Sequence, residues 1–144
     1  MTSLLLDTHA WIWLAAGDSR LTKHKRVLAQ AARSNQLTLS SISVYEATLI
    51  GIESEHGRRR GKQAVRMLPT IQQWIRDALA GTRVVSIPVE AETASTAALL
   101  ESMHADPFDR LIAATALLSG ARLVTADATL LEFAEQTRMK VFEI

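Results

Sequence analysis

A chain of 144 residues, 48% hydrophobic and 22% charged, is long enough to bury a sizeable core and too apolar to be intrinsically disordered. The complete absence of cysteine excludes disulfides, thiolate nucleophiles and zinc–thiolate centres, so any metal must be held by oxygen or imidazole. A formal net charge of +1 provides no overall field to select a partner, and only local clustering of charge can matter.

Leu4-Leu5-Leu6 predicts a short strand buried on both faces, ended by Asp7-Thr8. The apolar stretch that continues through Trp11-Ile12-Trp13-Leu14 is interrupted by Asp7 and His9, has no basic segment before it and is too short to span a bilayer. No signal peptide and no membrane association are expected, and the protein reads as cytoplasmic. His9 to Ala16 predicts a helix stopped at Gly17, and Thr22 a cap for a second helix running to about Asn35. Val27, Leu28 and Ala31 would face inward, with Lys23, Lys25, Arg26 and Arg33 on a solvated face. Leu37–Ser40 is the next strand. Ser43-x-x-Glu46 then matches a capping box at the start of a helix from about Val44 to Glu55.

The run from His56 to Gly61 breaks the pattern, and Gln63 to Ala80 resumes a helical one that Pro69 kinks or divides and Gly81 closes. Arg83–Ile87 is a third strand and Val89–Leu100 a helix. Asp106-Pro107 is a strong helix start, with Asp106 as N-cap, proline at N1 and Asp109 at N3. Leu111, Ile112, Ala113, Ala116 and Leu117 make the helix apolar on nearly every face until Gly120. Leu123–Thr125 is a fourth strand that exits through Ala126-Asp127; Ala128–Gln136 is a last helix and Val141–Ile144 an edge strand. No repeat or linker divides the chain, so residues 1–144 are expected to form one α/β domain. Its sheet would be mostly parallel, of four to five strands, with helices on both faces.

Asp7 and Asp127 stand at strand exits, and Glu46, Asp106 and Asp109 in helix starts, which places all five on the edge of the sheet where α/β proteins bind ligands. Each acid has a simpler account as a helix cap, and their coincidence on one rim argues against caps alone. Carboxylates gathered in one cleft repel unless a cation neutralises them, and an all-oxygen set suits Mg²⁺ or Mn²⁺. Such a site is one solution to phosphodiester hydrolysis. The chain holds no nucleophile elbow, phosphate-cradling glycine loop, dinucleotide fingerprint or His-Glu-x-x-His helix.

Four blocks, Leu4-Leu5-Leu6-Asp7-Thr8-His9-Ala10, Ser41-Ile42-Ser43-Val44-Tyr45-Glu46, the run from His104 to Ala116, and Leu123-Val124-Thr125-Ala126-Asp127, resemble in this order the PIN-domain ribonucleases, and among them the VapC-type toxins of bacterial toxin–antitoxin pairs. The resemblance covers essentially the whole chain. It implies a Mg²⁺-dependent endoribonuclease, with Mn²⁺ as an alternative ion, an RNA substrate, a cognate VapB-type antitoxin and a homodimer. It also implies that Asp7, Glu46, Asp109 and Asp127 are the catalytic, metal-binding carboxylates, Asp7 and Asp109 foremost. Asp106 comes second, because capping accounts for it; Tyr45 stands where many relatives carry tryptophan.

Thr8 and Thr125 read either as support for water and carboxylates or as turn hydroxyls. His9 and His104 read as phosphate contacts or as hydrogen-bonded histidines without metal-ligand spacing. Arg58, Arg59, Arg60, Lys62 and Arg66 form the dense basic patch, a solvated loop or an RNA contact. Trp11, Trp13 and Trp74, at helical spacing among aliphatics, are expected in the core or at a subunit interface. Two other classes compete with the nuclease: a phosphoacceptor signalling module, which needs paired acids at the first strand and a lysine at a late strand exit, and a non-catalytic interaction domain whose acids are only caps.

Overall fold

The computed structural model describes residues 2–57, 70–101 and 106–144. Five strands, β1 (Leu4–Leu6), β2 (Leu37–Ser40), β3 (Val85–Ile87), β4 (Arg122–Thr125) and β5 (Val141–Glu143), form one sheet in the order β3-β2-β1-β4-β5, parallel throughout. The helices among the described residues are α1 (Thr8–Ala16), α2 (Lys25–Arg33), α3 (Ser41–Glu55), α4 (Ile71–Thr82), α5 (Ala91–Ala98), α6 (Pro107–Ser119) and α7 (Ala128–Glu135).

The three leucines of β1 show why its sequence does not alternate. Leu6 lies beside Leu39 and Val124, and on that face Leu4, Leu6, Leu37 and Leu39 pack with Trp11 of α1, Leu28 of α2, Ile50 of α3 and Ala78 of α4. Leu5 lies beside Leu123 and faces the other way, against Ile112 and Ala116 of α6 and Leu130 and Phe133 of α7. Both faces of the central strand are therefore covered, as a parallel sheet requires. All four strand registers bring successive carboxyl ends to the same edge.

Three local expectations are corrected. The segment from Ser19 to His24 is a 3₁₀ turn capped by Asp18, whose Oδ1 accepts from the Arg20 N–H at 2.9 Å, so Thr22 caps nothing and α2 starts at Lys25. The capping box at Ser43 is absent: Ser40 is the N-cap of α3, accepting from the Ile42 N–H at 3.2 Å, while Ser43 is buried inside the first turn with its hydroxyl unpartnered. The helix thus begins directly at the end of β2, and Glu46 sits in its second turn. Arg83, with φ 56°, ends α4 in the left-handed region, so β3 starts at Val85. The expected start of that helix near Gln63 lies outside the described residues; Thr70 caps the part described, accepting from the Gln73 N–H at 3.1 Å.

Trp11 and Trp74 meet edge to face, 5.7 Å between ring centroids, and the fully buried Trp11 donates its indole N–H to the Thr82 hydroxyl at 3.1 Å. This indole ties α1 to α4 and explains the core placement expected for both tryptophans. Trp11→Phe keeps an aromatic ring but loses that hydrogen bond and leaves a void. It is expected to lower stability by about 1–3 kcal/mol, read as a lowered thermal midpoint.

Candidate metal centre

Parallel pairing of β1 with β4 brings their exits together, the Asp7 N–H donating to the Val124 carbonyl at 3.1 Å. Asp7 is the N-cap of α1: its Oδ1 accepts from the Ala10 N–H at 2.7 Å, and its Oδ2 accepts from the Thr125 hydroxyl. The Thr125 oxygen in turn accepts from the Asp127 N–H at 3.0 Å, and Asp127 caps α7 by accepting from the Leu130 N–H at 3.0 Å. One buried hydroxyl thus connects the acids at two strand exits. On the other side, Asp106 caps α6, its Oδ1 accepting from the Asp109 N–H at 2.9 Å, and Pro107 occupies the first turn. Arg110 fixes this end of α6 against α5 by donating from Nε to the Ala97 carbonyl at 3.1 Å and from Nη2 to the Ala98 carbonyl at 3.0 Å.

Asp7, Thr8, His9, Trp13, Glu46, Asp109, Ala126 and Asp127 line one cleft of about 230 Å³. The four acids expected to act together are therefore brought together, Asp7 and Asp127 from the caps of α1 and α7, Glu46 and Asp109 from within α3 and α6. Asp106 is exposed and outside the lining, held by its capping bond, yet its charge reaches Asp109 and Glu46. Thr8 lines the cleft with a buried hydroxyl whose polar neighbour there is the Glu46 carboxyl, and Thr125 is buried next to it. His104, Arg58, Arg59, Arg60, Lys62 and Arg66 lie outside the described residues.

The carboxylates are uncomfortable in this cleft. Burial pushes Asp109 up to about 7, and repulsion from Asp106, Asp127, Glu46 and Asp7 adds to it. Burial also raises Glu46, with the Thr8 hydroxyl and His9 pulling the other way. Asp7, 6% exposed, is raised by burial too, although its bonds from Thr125 and Ala10 favour the ionised form. Among the described residues no lysine or arginine pairs with these acids; the ion pair found there joins Arg20 to Asp18 at 3.1 Å. Nor do three Asp, Glu or His side chains among the described residues converge into a finished coordination sphere. The set is nonetheless suited to a hard cation: oxygen donors only, three of them partly or wholly desolvated, mutually repelling and short of positive charge.

Trp13 meets the core as expected and has a second role in the geometry. Partly packed on the core, it also borders the cleft, with His9 one helical turn before it and the Arg20 guanidinium 4.7 Å above its ring. The signal was available in the i, i+4 spacing of His9 and Trp13 on a helix that starts at Asp7. A larger, mainly apolar groove of about 790 Å³ lies away from the acids, lined by Leu14 and Ala15 of α1, Leu28 and Ala32 of α2, and Trp74 and Ala78 of α4 among others. Lys25, Arg33 and Arg83 outnumber Asp77 among the charged residues of that groove.

The sequence model of the PIN domain matches residues 4–136. The chain belongs to the PIN-domain family. Ribonuclease VapC22 of Mycobacterium tuberculosis (strain ATCC 25618 / H37Rv) is similar to this PIN-domain chain, 30% identical over 130 residues that cover 90% of the chain and 91% of the relative. Two solved structures share the PIN-domain fold with a TM-score of 0.66 each. VapBC2 from Rickettsia felis bound to a DNA fragment from its promoter is 20% identical, covering 98% of both chains. DNA-bound VapBC from Salmonella typhimurium is 15% identical, covering 99% of this chain and 98% of the other. In this PIN-domain chain the match spans every element from β1 to α7, and with them all four acids of the cleft.

Proposed function

We propose that this protein is a metal-dependent endoribonuclease and the toxin of a toxin–antitoxin pair, with Asp7, Glu46, Asp109 and Asp127 as its metal-binding and catalytic residues. The observation that carries the reading is the convergence of Asp7, Glu46, Asp109 and Asp127 on one cleft, where burial and neighbouring acids push Asp109 up to about 7. Evolution of a soluble fold has no structural use for such repulsion, whereas a site for a divalent cation does. Mg²⁺ is the ion proposed, with Mn²⁺ as an alternative. When bound, the ion polarises the phosphodiester and lowers the pKa of a water so that it can attack.

The chain's own residues prepare that chemistry. Asp7 is fixed by the Ala10 amide and the Thr125 hydroxyl, and a carboxylate has lone pairs left after two such bonds. Asp109 and Glu46 bring two further carboxylates from α6 and α3, and Asp109 must release its proton near neutral pH before it can ligate. Thr8 supplies a buried hydroxyl beside Glu46 that can orient that carboxylate or a water. His9, exposed at the lip, presents an imidazole to an incoming phosphate. Asp106 serves by starting α6 where Asp109 enters the cleft.

A cognate VapB-type antitoxin is proposed as partner. The similar VapBC complexes support it, as does the apolar groove between α1, α2 and α4, whose basic margin suits an apolar segment flanked by acids. A homodimer is proposed too, supported by the exposed apolar side chains of Val85, Leu99 and Leu118. No described helix is long and apolar enough to cross a membrane, and a cytoplasmic location is proposed.

The phosphoacceptor reading is weaker, because no lysine stands among the described residues that line the cleft, and that reading needs one at a late strand exit. The deciding experiment incubates purified, EDTA-stripped protein with single-stranded RNA. Cleavage is expected on adding Mg²⁺ or Mn²⁺ and should stop when EDTA is restored. Metal-independent cleavage, or none with either ion, overturns the proposal.

A further inference from the structure

We infer that Tyr45, packed against Phe108, is a platform for a nucleobase next to the scissile phosphodiester, and so a positioning residue of the reaction; this rests on the nuclease reading. Tyr45 is 58% exposed, unusual for a large aromatic ring, and stands one residue before Glu46, which lines the acidic cleft. Its ring lies 5.7 Å from that of Phe108, tilted by 36°, so the phenol is held by a neighbour instead of swinging freely. Tyr45 immediately precedes Glu46 in α3, and Phe108 immediately precedes Asp109 in α6. The pair therefore bridges the two helices that deliver Glu46 and Asp109, the half-buried carboxylates of the cleft.

The size of the cleft argues for an external platform. About 230 Å³ lined by four acids accommodates a phosphate group and ions, and is smaller than a typical pocket for an organic ligand. The sugars and bases of a bound strand must run over the rim. Among the described residues, Trp13 lines the cleft, and Tyr45 stands outside the lining, directly before Glu46. The Trp13 ring is packed on the core and covered by Arg20, whereas the Tyr45 ring is open to solvent. Stacking on an aromatic face tolerates any base, so Tyr45 adds affinity and alignment without selecting sequence strongly.

The test uses full-length wild type, Tyr45→Ala, Tyr45→Phe and Tyr45→Trp, with matched thermal melting. The substrates are a single-stranded RNA and versions carrying one abasic residue at successive positions around the cleavage site. Tyr45→Ala is expected to raise KM about 10-fold or more, the size of one lost base stack, with kcat within about twofold; phenylalanine and tryptophan restore KM. An abasic residue at one position should remove the difference between wild type and Tyr45→Ala. An unchanged KM, or an equal loss on every abasic strand, overturns the inference; an unchanged KM with loss of a dimer assigns the ring to a subunit contact. Binding of labelled RNA in EDTA, followed by anisotropy, separates this idea from the nuclease reading. Without any cleavage by wild type, weaker binding by Tyr45→Ala alone still supports the platform, and equal binding refutes it.

Discussion

Asp109→Asn is expected to reduce RNA cleavage on the order of 10²- to 10³-fold, the loss typical of removing one preorganised electrostatic group, while making the metal-free protein more stable at alkaline pH. The two effects have the same origin. Asp109 is raised from 3.8 to about 7, so between those values the folded chain binds a proton that the unfolded chain has released. Stability therefore falls as pH rises from the ordinary carboxylate range to about 7, and stays lower above it. A group this accessible to water is screened, so the penalty is held to about 1–2 kcal/mol, a few degrees in thermal midpoint. Asparagine keeps the shape and removes the charge. Melting of EDTA-treated protein should thus show Asp109→Asn above wild type at pH 8 and level with it at pH 4. Addition of Mg²⁺ should raise the wild-type midpoint more than the variant's, and the wild type's apparent affinity for Mg²⁺ should climb through neutral pH as Asp109 loses its proton. Equal cleavage by the two proteins would remove Asp109 from the site. A variant less stable than wild type at pH 8 would show that the acid serves chiefly the helix start, as an N3 residue favoured by the macrodipole.

Thr125→Val is expected to cost about 1–3 kcal/mol, the penalty for buried polar groups left without partners, and to weaken metal binding without touching any proposed ligand. The Thr125 hydroxyl donates to Asp7 Oδ2 and accepts from the Asp127 N–H at 3.0 Å, in a position with no solvent exposure. Valine matches its branching in β4 but offers neither bond, so two groups lose their partner at once. Asp7, already raised by burial, loses the strongest influence holding its carboxyl down and is pushed further up. Metal binding at pH 7 must then displace more protons, and the apparent affinity for Mg²⁺ should fall, recovering in part at higher pH. Thr125→Ser, which keeps the hydroxyl, should restore most of both properties. Titration calorimetry at pH 7 and 8.5, with melting in EDTA, reads the two consequences separately. Unchanged Mg²⁺ affinity alongside the expected stability loss would confine Thr125 to a structural part.

Much of this arrangement was legible in the chain itself. Gly17 and Gly120 end helices with positive φ as expected, and Asp106-Pro107 starts α6 with Asp109 at N3. These are contests within a few residues, decided by caps, ring constraints and left-handed glycine. The capping box at Ser43 failed because two signals competed locally. Ser40, at the end of β2, caps first, and once the helix starts there Ser43 is carried into the interior. Trp13 packs on the core as expected, but helical spacing identifies the face of a helix and not everything that lies beside it. The ring borders the cleft because α1 runs back from the exit of β1 beside the acids.

Residue types and their spacing along the chain determined the alternation of strand and helix, the position of each acid at a strand exit or near a helix start, and the exclusion of thiolate chemistry, because each depends only on neighbours a few residues away. Which acids share a cleft was decided by the order β3-β2-β1-β4-β5. That order sets the exits of β1 and β4 side by side across more than a hundred residues of chain, allowing the Thr125 hydroxyl to reach Asp7. The raised pKa values followed from the same step, since repulsion and desolvation act through space, and their partners exist only once α3 and α6 have closed over the end of the sheet.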